Sequence, residues 1–146
     1  MIFIVGRDYF IYKTHISFAI VSKEVDPEII TSELNLAPKR SFKKGEQSVS
    51  RRSGSVITKL HGLWEIESNT TESEEETISH HLEYLKSILL PKIDILKRYK
   101  DDPRFELSFW VWVETDNAGI GFDMDANDFA FISQIANRVH FSIMTK

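Results

Sequence analysis

Three groups of residues in this 146-residue chain have the types that do chemistry, and their spacing decides what each can do. In "DMDAND", Asp123, Asp125 and Asn127 match the first three ligands of a calcium loop. Such a loop also needs glycine at its sixth position, for a sharp turn, and a bidentate glutamate at its twelfth. Those positions hold Asp128 and Gln134. The stretch therefore reads as a helix start, with Asp125 accepting from free backbone N–H groups. The histidines form the second group. His80 and His81 are adjacent on one expected helix and point about 100° apart, so they do not chelate an ion as an i, i+4 pair does. His15, His61 and His140 fall on different expected strands. "GIG" at 119–121 precedes a strand rather than a helix and makes no phosphate cradle. There is no Gly-x-Ser-x-Gly elbow and no cysteine, which excludes thiol catalysis, disulfides and thiolate zinc sites. No metal and no cofactor is expected, and the residues favour a non-enzymatic protein.

The third group is basic. Residues 38–59, "PKRSFKKGEQSVSRRSGSVITK", carry seven Lys or Arg and one Glu, a local charge of +6 in a chain whose net charge is −4. Positive charge held apart from an acidic remainder suits an acidic partner. Candidate contact residues are Arg40, Phe42, Lys43 and Lys44 in this loop, with Trp64, Trp110 and Trp112. Arg51, Arg52 and Lys59 read as solvated. A second reading pairs Arg40 with a carboxylate and buries Phe42 and Trp64 in the core. Trp110 and Trp112 share one side of a strand. They are either shielded there by the N-terminal segment or a loop, or they form an exposed aromatic platform for a partner or a second subunit.

The elements that position these residues follow from periodicity. Residues 11–22 alternate as a strand. Asp26 and Pro27 open a short helix that ends before Pro38. Residues 55–68 read as a second strand, kinked at Gly62. Ser73 and Glu76 form a capping box for a long helix running to about Tyr99, with a break at Pro91. "RFELSFWVWVET" alternates as a strand, "DNAG" turns, and "IGFDM" returns as its hairpin partner. A helix capped by Asp125 and a closing strand "VHFSIM" complete the order β-α-β-α-β-β-α-β. This predicts an α+β two-layer sandwich, a mostly antiparallel sheet with helices packed on it, in one domain over 1–146. No run approaches the ~18 apolar residues of a membrane span, and "MIFIVGRD" is too short for a secretory signal. The chain is expected to be cytoplasmic, with no membrane partner and with a homo-oligomer left open.

"DPEIITSELNLAPKRSFKKGE" resembles the opening motif of a bacterial family, domain of unknown function 4279. In this chain the motif residues are Asp26, Pro27, Leu34, Leu36, Pro38, Arg40, Phe42, Lys44 and Gly45. "GLWEIES" is similar to the family's Gly-x-Trp strand through Gly62, Trp64 and Ser68. The similarity runs from about Lys13 to the end, and residues 1–10 are an extra leading segment. It implies a small α+β domain and no catalytic residue, with a weak likeness to immunity proteins of toxin systems.

Three functions remain in order. The first is a binding protein, immunity-like in one form, whose basic loop meets an acidic protein partner. The second is an enzyme or binding domain for a small anionic ligand, with Arg40 and Lys44 on the anion and a histidine as base. Nucleic-acid binding comes last, because such domains usually have a pI above about 9 and this chain's is about 5.7.

Overall fold

The computed structural model describes residues 11–68, 77–115 and 120–145. Strand β1 (Ile11–Ser22) buries Ile16, Phe18 and Ile20 on one face. Helix α1 (Pro27–Leu34) follows. The Glu28 N–H donates to the Asp26 carboxylate at 2.9 Å, and Asn35 ends the helix in the left-handed region at φ 52°. Three short strands come next: β2 (Arg40–Phe42), β3 (Gln47–Val49) and β4 (Val56–Thr58). Strand β5 (Gly62–Glu67) leads through the undescribed residues to helix α2 (Ile78–Leu89). A 3₁₀ turn over Leu90–Lys92, centred on Pro91, separates α2 from helix α3 (Ile93–Asp101). Strand β6 (Phe105–Thr115), helix α4 (Ala126–Ile135) and strand β7 (Arg138–Thr145) complete the order.

Five strands form one sheet in the order β2-β5-β1-β6-β7. The first three pairings are antiparallel and β6/β7 is parallel. Parallel neighbours need a crossover connection, which α4 supplies. One sheet face, with Phe18, Trp64, Phe109 and Val111, packs against the apolar sides of the helices, including Leu82, Leu85, Leu96 and Phe131. The fold is α+β, in two layers, and the other sheet face carries none of the described helices. Among the described residues no helix is long and apolar enough to cross a membrane.

Four expectations are corrected. The basic segment is not a bare loop: it holds edge strand β2 and a β3–β4 hairpin. The 55–68 strand divides into β4 and β5, which lie in different sheets. "IGFDM" forms no hairpin ladder with β6; the neighbour there is β7, in parallel, and Phe122 instead stacks on Phe141 with centroids 5.8 Å apart. Thr77 caps α2, accepting from the His80 N–H at 3.1 Å, while the expected capping box, Ser73 and Glu76, lies outside the described residues, as does the "DNAG" turn.

Candidate interaction surface

Strand β2 pairs Arg40 with Glu65 and Phe42 with Leu63, so these four side chains share the sheet face that bears no helices. Arg40 reaches the Glu65 carboxylate at 3.8 Å, and Lys39 reaches Glu67 at 3.9 Å. Burial pushes the Glu65 carboxyl upward and Arg40 opposes that shift. Lys43 lies 2.9 Å from Asp26. The Glu28 N–H, and after it Lys43, hold the Asp26 carboxyl below its usual range. Lys59 sits 4.6 Å above the Phe42 ring, and the Arg40 guanidinium lies 6.0 Å from it. Arg40 and Lys43 are thus engaged inside the protein, and Phe42 is a partly buried support for two cations.

The hairpin stands apart from the five-stranded sheet. Gly45, at φ 87°, turns the chain out of β2, and Gly54, at φ 70°, closes the tip; both conformations favour glycine. Every residue of β3 and β4 is exposed. Val49 pairs with Val56 on one face and Ile57 opposes Ser48 on the other, with Leu60 at the base. Val49, Val56, Ile57 and Leu60 are all exposed, up to 76% for Leu60. The tip carries Arg51 and Arg52, and Lys44 stands at the base. None of these three has a carboxylate partner among the described residues.

The tryptophans separate. Trp64 is fully buried on the helix-bearing face and its Nε1–H donates to the Thr31 hydroxyl at 3.0 Å, so it belongs to the core and not to a contact surface. Trp110 and Trp112 lie on the opposite face, with Arg40 and Phe42, but three strand spacings away, about 14 Å. They are neither buried nor a flat platform. Trp110 stacks on Trp112 with centroids 5.9 Å apart, His15 stacks on Trp112 at 5.7 Å, and His140 lies 4.1 Å from Trp110. The ring faces meet one another rather than solvent. Trp110 donates to the Ser108 hydroxyl at 3.0 Å, while the buried Nε1 of Trp112 has no hydrogen-bond partner among the described residues.

His15 and His140 flank the same tryptophan pair, and among the described residues the histidines form no metal-holding group. His81 is buried on α2 with its Nδ1 2.8 Å from the Ser68 hydroxyl, which in turn accepts from the Ile16 N–H. Burial lowers the affinity of His15 for its proton. A cleft of about 620 Å³ between α1 and α3 is lined by Glu33, Arg98, Tyr99, Asp102 and Arg104. There the Tyr99 hydroxyl donates to Glu33 at 2.6 Å and Arg104 forks onto Asp102 at 2.7 Å. Its cations are already paired, and neither Arg40 nor a histidine lines it. Asp125 accepts from the Asn127 N–H at 2.8 Å as the cap of α4, and no group of three metal-ligating side chains occurs among the described residues.

Reading the sequence missed the arm's apolar residues and set Arg51 and Arg52 aside as solvated. The available signal was "SVITKL", a β-branched run inside a basic segment. No curated protein and no solved structure matches this chain. A family model described as Domain of unknown function (DUF4279) matches residues 12–146, nearly the whole length, and the chain belongs to that family.

Proposed function

We propose that this is a non-enzymatic binding protein that meets an acidic protein partner through its basic hairpin arm. The observation that carries the reading is the arm itself: a two-stranded ribbon with exposed Val49, Val56, Ile57 and Leu60, flanked by Lys44, Arg51 and Arg52, which have no carboxylate partner among the described residues. An isolated hairpin is marginal in water, and a partner that covers its apolar residues would stabilise it. Charge complementarity selects an acidic partner and speeds the encounter. An immunity-like role, with a toxin as that partner, is one form of this reading. Arg40 and Lys43 support the base of the arm, and the arginines at its tip make the contact.

The test is capture from an extract of the source cells with the wild type and with an Arg51→Glu, Arg52→Glu variant, followed by binding of the purified partner across a salt series. The expected result is an acidic protein retained by the wild type, lost by the variant, and bound more weakly as salt rises. A partner held equally by both chains contradicts the reading. Salt-sensitive binding of RNA or DNA by the same arginines replaces it with nucleic-acid recognition.

A further inference from the structure

Strand β7 closes the sheet on the side away from the arm. The Asn137 N–H donates to the Leu107 carbonyl at 2.7 Å, and the register from Ser108↔Arg138 to Thr115↔Thr145 runs without a shift. In a regular strand the backbone groups of alternate residues point to opposite sides. Leu107 turns both its N–H and its C=O to the β7 side, so the odd-numbered residues of β6 face β7; in a parallel pair their register mates face away, so Arg138, His140, Ser142 and Met144 bond to β6, and Val139, Phe141 and Ile143 aim their N–H and C=O groups outward. Among the described residues no strand pairs with that side. The strand itself carries no blunting device, with eight residues, one charge, no proline and no bulge, and among the described residues Phe122 stacks on its Phe141 without adding a strand. Phe141 is 42% exposed and Ile143 51%. An edge of this kind is a template for another strand.

We propose that β7 pairs with β7 of a second copy of this chain, in antiparallel register about a two-fold axis at Phe141. That axis places Phe141 opposite itself and Val139 opposite Ile143, all with outward backbone groups, so donors meet acceptors in reciprocal pairs, while His140 stands opposite Ser142 and Arg138 opposite Met144. No two like charges face each other within β7, because its only charge lies at one end. On the helix-bearing face Phe141 meets its own copy and Ile143 meets Val139. Val139 stands at the mouth of a groove of about 540 Å³ between α4 and β7, lined by Phe129, Ala130, Ile132 and Ala136. The groove gives the exposed Ile143 of the second copy an apolar seat. The result is one sheet of ten strands with an isologous interface.

Sedimentation of the purified chain tests this, with two variants. Phe141→Pro removes an outward N–H while leaving the bonds to β6, since proline is tolerated where the N–H faces solvent. Ile143→Glu puts a charge at the groove. At about 100 µM the wild type is expected near twice 16.9 kDa, and each variant that keeps the wild-type circular dichroism is expected to lose the dimer. A monomeric wild type at that concentration overturns the proposal and leaves the edge to a strand of another protein. A dimer that survives in either folded variant also overturns it, because the interface then lies elsewhere.

Discussion

Strand β2 ends the sheet with three residues, set between Pro38 and the Lys43-Lys44-Gly45 turn; β7 ends it with eight, and Phe141, Ile143 and Met144 are exposed along them. Among the described residues no strand pairs with the outer side of either edge. The first is protected in the ways that discourage strand addition: it is short, cationic, preceded by proline and followed at once by an outward turn. The second has none of these devices. The chain concentrates its positive charge at the edge where pairing is blocked and leaves apolar side chains at the edge where pairing is open. The two proposed contacts differ in chemistry accordingly: an electrostatic one with an acidic protein at the β2 side and a hydrogen-bonded, apolar one with a second copy at β7.

The largest effect on this contrast comes from the core beneath β5. Trp64→Ala removes a fully buried ring and its bond to Thr31, and the expected cost is about 3–5 kcal/mol in urea unfolding. Phe141→Ala, at an exposed position, should cost the monomer less than about 1 kcal/mol. Equal losses would mean that β7 is as deeply packed as β5. Next is Gly62→Ala. A Cβ at Gly62 would stand 3.0 Å from the Ser22 carbonyl and 3.4 Å from that of Phe42, both backbone atoms, so the β2–β5–β1 side should lose about 1–3 kcal/mol. Wild-type stability in that variant would show that β2 gives way freely.

A smaller effect is expected from pH. Burial holds His15 below its usual 6.5, while Glu67 and Glu114 oppose and His81 and Lys13 assist that shift. Just below 6.5 the unfolded chain then binds more protons than the folded one, so this stability is present at higher pH and is lost as pH falls through 6.5 toward the lowered folded value. Glu65 acts in the opposite sense, losing stability as pH rises above 4.5, because its folded value is raised. His15→Gln should therefore flatten the melting temperature measured between about pH 7.5 and about pH 5.5. An unchanged profile would remove His15 from the account. The smallest effect is that of Arg51→Glu with Arg52→Glu, which should leave the melting temperature unchanged while abolishing capture of the acidic partner.

Periodicity made the long elements readable. Ile16, Phe18 and Ile20 alternate because one face of β1 is buried, and the same holds for β6 from Phe105 to Val113. Asp26, Asp125 and Pro91 announce their caps and the break between α2 and α3 by local chemistry alone. The arm was not readable because β3 and β4 are exposed on both faces, so no core imposes an alternation on them. The neighbour of β6 was misread for a different reason. "IGFDM" has strand-forming residues next to a turn, yet the choice between a hairpin and a crossover is made by α4 packing Phe131 against Phe109, a contact 22 positions apart. Arg40 and Phe42 could be singled out by type. That they share a face with Trp110 and Trp112, while Trp64 faces the core, depends on register, which the sequence does not display.

The difference between the two edges is tested most directly by single cysteines in a chain that has none. Phe141→Cys places the thiol opposite itself across the two-fold axis, where hydrogen-bonded antiparallel partners have Cα atoms about 5.5 Å apart, within disulfide range. Ile57→Cys, on the arm, replaces a residue of similar exposure, 46% against 42%. On mild oxidation the Phe141→Cys chain should become a covalent dimer and the Ile57→Cys chain should stay monomeric. Equal cross-linking at both positions, or none at position 141, would contradict the account.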